Sequence, residues 1–126
     1  MALVWWKAAI YCHNDGYPNY MYPMLSDWYG TEERARALVS FGDASYIEKR
    51  LIPTADSKHS FDHPEEDVCV FYHRDRDELW KDNAPLVCCR DQLFNMMYYL
   101  YIFEDGAWHV YVNKKEVKDY ADLDSL

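Results

Sequence analysis

The chain has 126 residues, with 22 Asp plus Glu against 13 Lys plus Arg, so its formal net charge is −9, and half of its residues are hydrophobic. This length and apolar content indicate that residues 1–126 form a single compact domain rather than a disordered tail. Binding to a phosphate backbone requires a basic face, so the acidic composition disfavours direct nucleic-acid binding.

Targeting and cofactor signals are sparse. Lys7 interrupts the apolar N-terminal stretch, no basic region precedes it, and no run approaches the roughly 20 apolar residues that span a bilayer. We therefore expect a cytoplasmic protein with no membrane partner. Gly-rich phosphate loops and dinucleotide fingerprints are missing from the sequence, so no cofactor is expected.

The first predicted element is a strand over Val4–His13, where side chains alternate between two faces. Residues 14–16 contain Asn, Asp and Gly and end the strand. Because Pro18 and Pro23 flank residues 19–22, that aromatic-rich segment is predicted to be an irregular connection.

Three helices are predicted next, each with a start signal: Pro at a first helical position, Thr as an N-cap and Asp as an N-cap. Gly42 would close the second helix. The predicted ranges are 23–29, Thr31–Phe41 and Ala44–Leu51.

The central part of the chain is charged. Residues 52–67 carry two Pro, two His and five acids, which predicts a long exposed acidic loop. Val68–His73 is β-branched and aromatic and is predicted to be a strand. Arg74–Asp82 is predicted to be a charged connection with one helical turn around Leu79 and Trp80.

A β-hairpin is the strongest local signal near the C-terminus. Its arms, residues 96–103 and 108–112, flank Asp105-Gly106, which predicts a type I′ turn. Residues 85–95 fit a strand or a short helix. The polar C-terminal tail, residues 114–126, has Val117, Tyr120 and Leu123 at the spacing of a short amphipathic helix.

Together these elements predict an α+β fold with a mainly antiparallel sheet of about four strands and two or three helices on one face. Trp28, Leu38 and Val110 are expected in the core. The second sheet face is predicted to carry aromatic side chains suited to an interface, namely Tyr99, Tyr101 and Tyr111.

One local run is unusual: Tyr11-Cys12-His13-Asn14-Asp15-Gly16-Tyr17-Pro18. It resembles the YCHxDGYP signature of small uncharacterised proteins encoded by phages, prophages and bacteria. The segment 42–45, Gly-Asp-Ala-Ser, is similar to the G-D-x-S step of the same proteins. The resemblance covers about the first 50 residues and implies an origin among mobile genetic elements, with no implied activity.

The motif turn has two interpretations. In the structural one, Asp15 accepts backbone N–H groups, Gly16 takes a positive φ and His13 bonds to a neighbour. In the other, Tyr11, His13, Asp15, Gly16 and Tyr17 line a ligand site. A nucleophile–base pair of Cys12 and His13 is disfavoured because adjacent strand residues point to opposite faces, so no catalytic residue is assigned.

Three His and Cys pairs have spacings that bear on metal binding. Histidines occur four apart in residues 59–63, Cys69 and His73 repeat that spacing, and Cys88 and Cys89 are adjacent. No C-x-x-C or closed Cys₂His₂ pattern is present, so free thiols and loop histidines are expected rather than a metal site.

Acidic residues form two clusters beside the predicted Val68–His73 strand. A negative, aromatic-rich surface suits a partner with a basic nucleic-acid-binding face, because opposite fields speed encounter. The residues assigned to partner binding are Asp62, Glu65, Glu66, Asp67, Asp75, Asp77, Glu78, Tyr99, Tyr101 and Tyr111.

We therefore expect a non-enzymatic phage or prophage interaction protein that inhibits a host defence system, in the manner of an anti-CRISPR. A solvated acidic face is the simpler alternative. A small-ligand-binding protein or enzyme using Tyr11–Pro18 is the alternative function, and homodimer pairing at the hairpin edge is left open.

Overall fold

The computed structural model describes residues 1–87 and 90–119. In chain order its elements are β1 (Ala2–Trp5), β2 (Ala8–Tyr11), α1 (Pro18–Trp28), α2 (Glu32–Ser40), β3 (Ala44–Tyr46), β4 (Val70–Phe71), α3 (Tyr72–Arg76), α4 (Trp80–Asn83), β5 (Leu86–Val87), α5 (Arg90–Met96), β6 (Tyr99–Glu104), β7 (Ala107–Val112) and β8 (Lys115–Glu116).

The fold is α+β, as predicted, but its sheet is larger and mixed. Six strands run in the order β5-β2-β1-β6-β7-β8, and β3 pairs with β4 in a separate two-stranded sheet. The central pair β1 and β6 is parallel, whereas the other neighbours in the six-stranded sheet are antiparallel. The prediction of about four mainly antiparallel strands was therefore wrong.

Both faces of the six-stranded sheet are apolar, and helices cover both. On one face Leu3, Tyr101 and Val110 belong to the main core with residues of α1 and α2. On the other face Val4 and Ile102 belong to a smaller core that side chains of α5 cover. Placing the helices on one face alone was wrong, because alternate residues of the central strands are buried on both sides.

The predicted strand over Val4–His13 is instead a hairpin, β1–β2, with Trp6 and Lys7 at its tip. Trp6 has a φ of 54°, in the left-handed region. That conformation costs a residue with a Cβ roughly 1–2 kcal/mol. The sequence lacks the Gly, Asn or Asp that marks such a turn, so the alternating pattern was interpreted as one strand.

Helix α1 begins at Pro18, five residues before the predicted start, and contains Pro23. Residues 19–22 are therefore helical rather than irregular. Pro18 occupies the first turn, where no intrahelical N–H bond is lost, while Pro23 removes one donor. Trp28, expected in the core, is 44% exposed, whereas Leu38 and Val110 are fully buried.

The second predicted helix is confirmed as α2. The Thr31 side chain accepts a hydrogen bond from the backbone N–H of Arg34, and Gly42 follows the helix with a φ of 81°. The helix predicted over Ala44–Leu51 was wrong. Its first residues form β3, which pairs with β4, so strand pairing prevails over the local cap signal.

The predicted strand Val68–His73 shortens to β4, and the chain turns into α3 at Tyr72. The Asp75 carboxylate accepts the N–H of Phe71 at 2.8 Å, which satisfies a donor at the start of this short helix. The helical turn predicted around Leu79 and Trp80 is confirmed as α4, whose first residue is Trp80.

Residues 52–67 have no helix or strand, as predicted, but they are anchored. The His59 ring is buried inside the segment, and its Nδ1 accepts the N–H of Glu65 at 2.8 Å. The N–H of Phe61 donates to the Asp75 carbonyl at 2.9 Å. The loop is thus fixed to α3.

The C-terminal hairpin is confirmed as β6–β7, with Asp105 at φ 53° and Gly106 at φ 79°, the two positive values of a type I′ turn. Its first arm begins at Tyr99 rather than at the predicted residue 96, where α5 ends. Residues 85–95, whose pattern fits either a strand or a short helix, contain both β5 and most of α5. In the tail, β8 replaces the start of the predicted helix, and the predicted positions Tyr120 and Leu123 lie outside the described residues.

Candidate functional site

The motif turn is held by the fold on both sides. Asp15, at φ 58°, takes the left-handed conformation that was assigned to Gly16. At Gly16 the absence of a side chain matters for packing instead, because a Cβ there would lie 2.5 Å from the Met1 Cγ. The hydroxyl of buried Tyr101 donates to the Gly16 carbonyl at 2.6 Å. The turn is therefore part of the packing against β6.

Beyond β2 the motif runs alongside β3. The backbone N–H groups of His13 and Asn14 donate to the carbonyls of Ala44 and Ser45, both at 3.1 Å. The Asn14 side chain donates to the Ser45 carbonyl at 3.0 Å and contacts its hydroxyl at 3.1 Å. These bonds join the two segments that carried the sequence resemblance.

His13 is exposed and faces α3. Its Nδ1 lies 2.6 Å from the Tyr72 hydroxyl, and its ring packs edge-on against the rings of Tyr11 and Tyr72. A cavity of about 280 Å³ lies here, which we call the motif pocket. Its lining side chains are His13, Asp43, Tyr72, Arg76, Glu78 and Asn83. Of the five residues expected at a ligand site, only His13 lines this pocket, whereas Asp15, Gly16 and Tyr17 line a separate cavity of about 190 Å³ that His13 also borders.

Asp43 supplies a half-buried carboxylate to the motif pocket. Its Oδ1 accepts the N–H of Tyr11 at 2.9 Å. Burial raises the pKa of Asp43 above its usual value, while the Tyr11 N–H and His13 oppose that shift. The adjacent Gly42 is essential to this position, because a Cβ there would lie 2.2 Å from the Asn83 carbonyl oxygen.

Cys12 does not take part in the motif pocket. Its side chain is fully buried in the main core, and its Sγ donates to the carbonyls of Asn14 and Ser45 at 3.5 and 3.7 Å. Burial raises the pKa of the Cys12 thiol to about 12. A thiolate nucleophile paired with His13 is incompatible with this environment.

Two of the seven acids assigned to partner binding have structural roles. Asp75 is buried and accepts the Phe71 N–H and two Arg74 nitrogens. Glu65 receives hydrogen bonds from the Arg50 guanidinium at 2.6 Å and the Thr54 hydroxyl at 2.9 Å. These two carboxylates are unsuited to a partner because their oxygens are already used.

The other five acids remain accessible. Glu78 is half-buried and faces Arg76, with Oε2 at 3.4 Å from Nε. The four exposed acids are Asp62, Glu66, Asp67 and Asp77. Asp67 and Asp77 have positive φ values of 63° and 57°, in keeping with the tolerance of Asp for this conformation.

Glu66 and Asp67 belong to a surface cavity of about 400 Å³, which we call the acidic groove. Its walls also include the exposed ring of Tyr46 and the carboxylate of Glu48, and among the described residues no Lys or Arg lines it. Burial raises the pKa of Glu48, and the nearby charge of Asp67 contributes to that shift. A cation entering the groove would be attracted by these carboxylates.

The predicted aromatic face does not exist as one surface. Tyr101 is fully buried in the main core, and Tyr99 packs on that same side of the sheet. Tyr111 lies on the opposite face against Phe94, with ring centroids 4.9 Å apart. The error follows from strand pairing: Tyr111 opposes Leu100, which alternates with Tyr99 and Tyr101.

The residues weighed for metal binding are dispersed. His59 lies beside Asp75, while the Cys69 Sγ contacts the Tyr29 hydroxyl at 3.3 Å. Over residues 1–87 and 90–119, no three His, Cys, Asp or Glu side chains form a group that could hold a metal ion. Cys88 and Cys89 lie outside the described residues.

Sequence reasoning missed Tyr72, Arg76 and Tyr46 as site residues. Tyr72 is 59 positions from its partner His13, and no local pattern links the two. Asp43 could have been predicted as a site residue, because the Gly42–Ser45 segment carries part of the resemblance. Its type as an N-cap residue instead favoured the interpretation of Asp43 as a helix cap.

A scan against protein-family models and searches of the curated proteins and of the solved structures found no match. Within the described part of the chain, no helix combines the length and apolar character needed to cross a membrane.

Proposed function

We propose that the protein is a non-enzymatic interaction protein of phage or prophage type that inhibits a host defence protein, in the manner of an anti-CRISPR, inside the bacterial cytoplasm. The acidic groove is the observation that carries this proposal. The docking surface consists of Glu48, Glu66, Asp67 and Tyr46, and its target is a basic nucleic-acid-binding surface of the defence protein.

The chemistry of the groove supports a cationic target. The carboxylates of Glu66 and Asp67 are exposed and form no ion pair in the described part of the chain, while the Arg50 guanidinium bonds to the Glu66 carbonyl at 3.0 Å. Tyr46 is 40% exposed and adds apolar area with a polar tip, as interface tyrosines do. The net charge of −9 adds long-range attraction to a basic partner.

The test measures infection of bacteria that carry a defence system and express the protein. Wild-type protein is expected to restore plaque formation by a phage that the system restricts. The double variant Glu66→Lys and Asp67→Lys should lose that effect, because it places two cations where a basic surface would dock.

The matched control is Asp27→Lys with Glu33→Lys, which makes the same change in net charge at two exposed acids of α1 and α2. We expect the control to protect the phage as wild type does. The proposal is wrong if the two double variants behave alike, or if wild type fails to restore plaques against each CRISPR type tested.

The motif pocket favours a second candidate, a small-ligand-binding protein or enzyme. The carrying observation is the 2.6 Å contact between His13 Nδ1 and the Tyr72 hydroxyl, beside the Asp43 carboxylate with its raised pKa. An imidazole and a phenol beside a half-buried acid suit binding of, or proton transfer on, a small polar molecule.

Metabolite screening by thermal shift distinguishes the two candidates. A ligand of the motif pocket should raise the Tm of wild type, but not of Tyr72→Phe, which keeps the ring and removes the hydroxyl. The double variant Glu66→Lys and Asp67→Lys should respond as wild type does, because the acidic groove shares no lining residue with the motif pocket.

A further inference from the structure

A third cavity lies where the tips of the β1–β2 and β6–β7 hairpins meet α2 and the start of α5. Its volume is about 670 Å³, within the usual size range of small-molecule sites. Trp5, Trp6 and Phe103 supply its aromatic walls. It shares no residue with the acidic groove or the motif pocket.

Trp6 occupies a position where the fold alone does not require tryptophan. Its side chain is 66% exposed, and its backbone has a φ of 54°, which Gly or Asn adopts at less cost. Its ring packs edge-on against the Trp5 ring, with centroids 6.0 Å apart, and the Lys7 Nζ lies 5.1 Å from the Trp6 ring centroid. A large exposed ring kept in a strained conformation indicates a binding role.

The charges of the cavity are mixed. Arg36 and Asp105 line it and, within the described residues, form no ion pair, while Arg90 pairs with Glu104 at 2.5 Å. Glu32 adds a third carboxylate against the two guanidinium groups. The excess of carboxylates and the net charge of −9 would repel an anionic ligand. The guanidinium of Arg36 would repel a cationic one.

A neutral ligand with several hydroxyl groups can interact with the aromatic walls, the carboxylates and the guanidinium groups of this cavity. Each hydroxyl both donates and accepts, so it can bond to carboxylates and guanidinium groups alike. The C–H face of a sugar ring packs on an indole, which requires only one open aromatic face. We propose that this cavity binds a neutral saccharide, with Trp6 as the stacking platform and with Arg36 and Asp105 as hydroxyl partners.

Calorimetric titration with neutral oligosaccharides of glucose, galactose, mannose and N-acetylglucosamine tests the proposal. We expect at least one to bind wild type with a Kd of about 1 mM or tighter. Trp6→Asn should weaken that binding about tenfold or more without lowering the Tm, since Asn suits the turn conformation. Arg36→Gln, on the exposed side of α2, should also weaken binding.

Trp28→Ala is the matched control, because it removes another exposed tryptophan distant in sequence from the cavity, and it should bind as wild type does. Failure of all four sugar series to bind overturns the proposal. So does equal binding by Trp6→Asn and wild type, or preferential binding of adenosine or AMP. A lower Tm for Trp6→Asn would overturn the argument from strain and assign the ring to the fold.

Discussion

The imidazole of His59 and the carboxylate of Asp75 face each other in the interior, with Nε2 at 3.3 Å from Oδ2 and side-chain exposures of 1% and 3%. His59 Nδ1 already accepts the Glu65 N–H, so a neutral ring carries its proton on Nε2, toward Asp75. The two groups are close but His59 Nε2 forms no hydrogen bond within the described residues, and the bond that fixes the acidic loop, residues 52–67, to α3 runs from the Phe61 N–H to the Asp75 carbonyl at 2.9 Å.

Replacing Asp75 with Asn should destabilise the protein by about 3 kcal/mol, because it breaks a buried charge cluster and leaves Arg74 without its carboxylate. Denaturant unfolding measures the loss, and hydrogen exchange should show faster exchange of the Glu65 amide. Asp77→Asn is the control, expected within about 0.5 kcal/mol of wild type because residue 77 is exposed. Equal effects at 75 and 77 would contradict the assignment.

Protonation of the Glu65 carboxylate at low pH should weaken the hydrogen bonds that it accepts. Hydrogen bonds from Ser57 and Thr54, with the Arg50 guanidinium, lower the pKa of Glu65 from 4.5 to about 2. A depressed carboxyl pKa contributes stability above pH 4.5 that is lost as the pH falls toward 2.

We therefore expect Glu65→Gln to be less stable than wild type near neutrality, and the difference between them to shrink as the pH falls from about 5 to 2. Urea unfolding at several pH values measures it. A difference that stays constant over this interval would show that Glu65 acts through its shape rather than its charge.

Buried thiols should resist alkylation. Cys12 and Cys69 are fully buried, and burial raises the pKa of both thiols. Iodoacetamide followed by peptide mapping should modify neither residue in native protein at pH 8 and both in denaturant. Rapid native labelling of Cys12 would contradict its placement in the core and would reopen the nucleophile hypothesis.

Gly42 and Gly106 provide a matched pair. Their φ values are 81° and 79°, so replacement by Ala imposes similar backbone strain at both. A Cβ at residue 42 would lie 2.2 Å from the Asn83 carbonyl oxygen, whereas nothing lies within 4 Å at residue 106.

Gly106→Ala should therefore cost about 1 kcal/mol, and Gly42→Ala should cost about 3 kcal/mol or more because backbone must also move. Thermal and urea unfolding measure both. Similar losses would mean that the chain around Asn83 moves freely, and Gly42 would then not be essential to the position of Asp43.

Local signals were sufficient for some elements. Thr31, the first-turn acids and Gly42 specify α2, and Asp105-Gly106 specifies the β6–β7 turn, because capping and positive φ are properties of neighbouring residues. The irregular character of residues 52–67 also followed from composition. In contrast, the Trp6-Lys7 turn carries no turn residue, and Ala44–Leu51 has a cap signal without a helix.

Part of the candidate site could likewise be predicted from the sequence. The motif was recognisable as a turn, and the excess of acids was visible in the composition. Which acids are accessible could not be predicted, because folding brings Arg50 to Glu65 and the buried His59 ring to Asp75, and both partners are distant in sequence. The tyrosines were misplaced because their faces depend on strand register.

By itself, the sequence determined the α+β class, helix α2, the C-terminal hairpin and the acidic character of the protein, since these depend on composition and on residues a few positions apart. The tertiary structure decided the parallel pairing of β1 with β6, the contact between His13 and Tyr72 and the burial of Asp75. Each of the two pairings joins distant parts of the chain, and the Asp75 carboxylate lies 3.3 Å from the His59 ring, which is also distant in sequence. Packing of the whole core rather than local preference fixes such contacts.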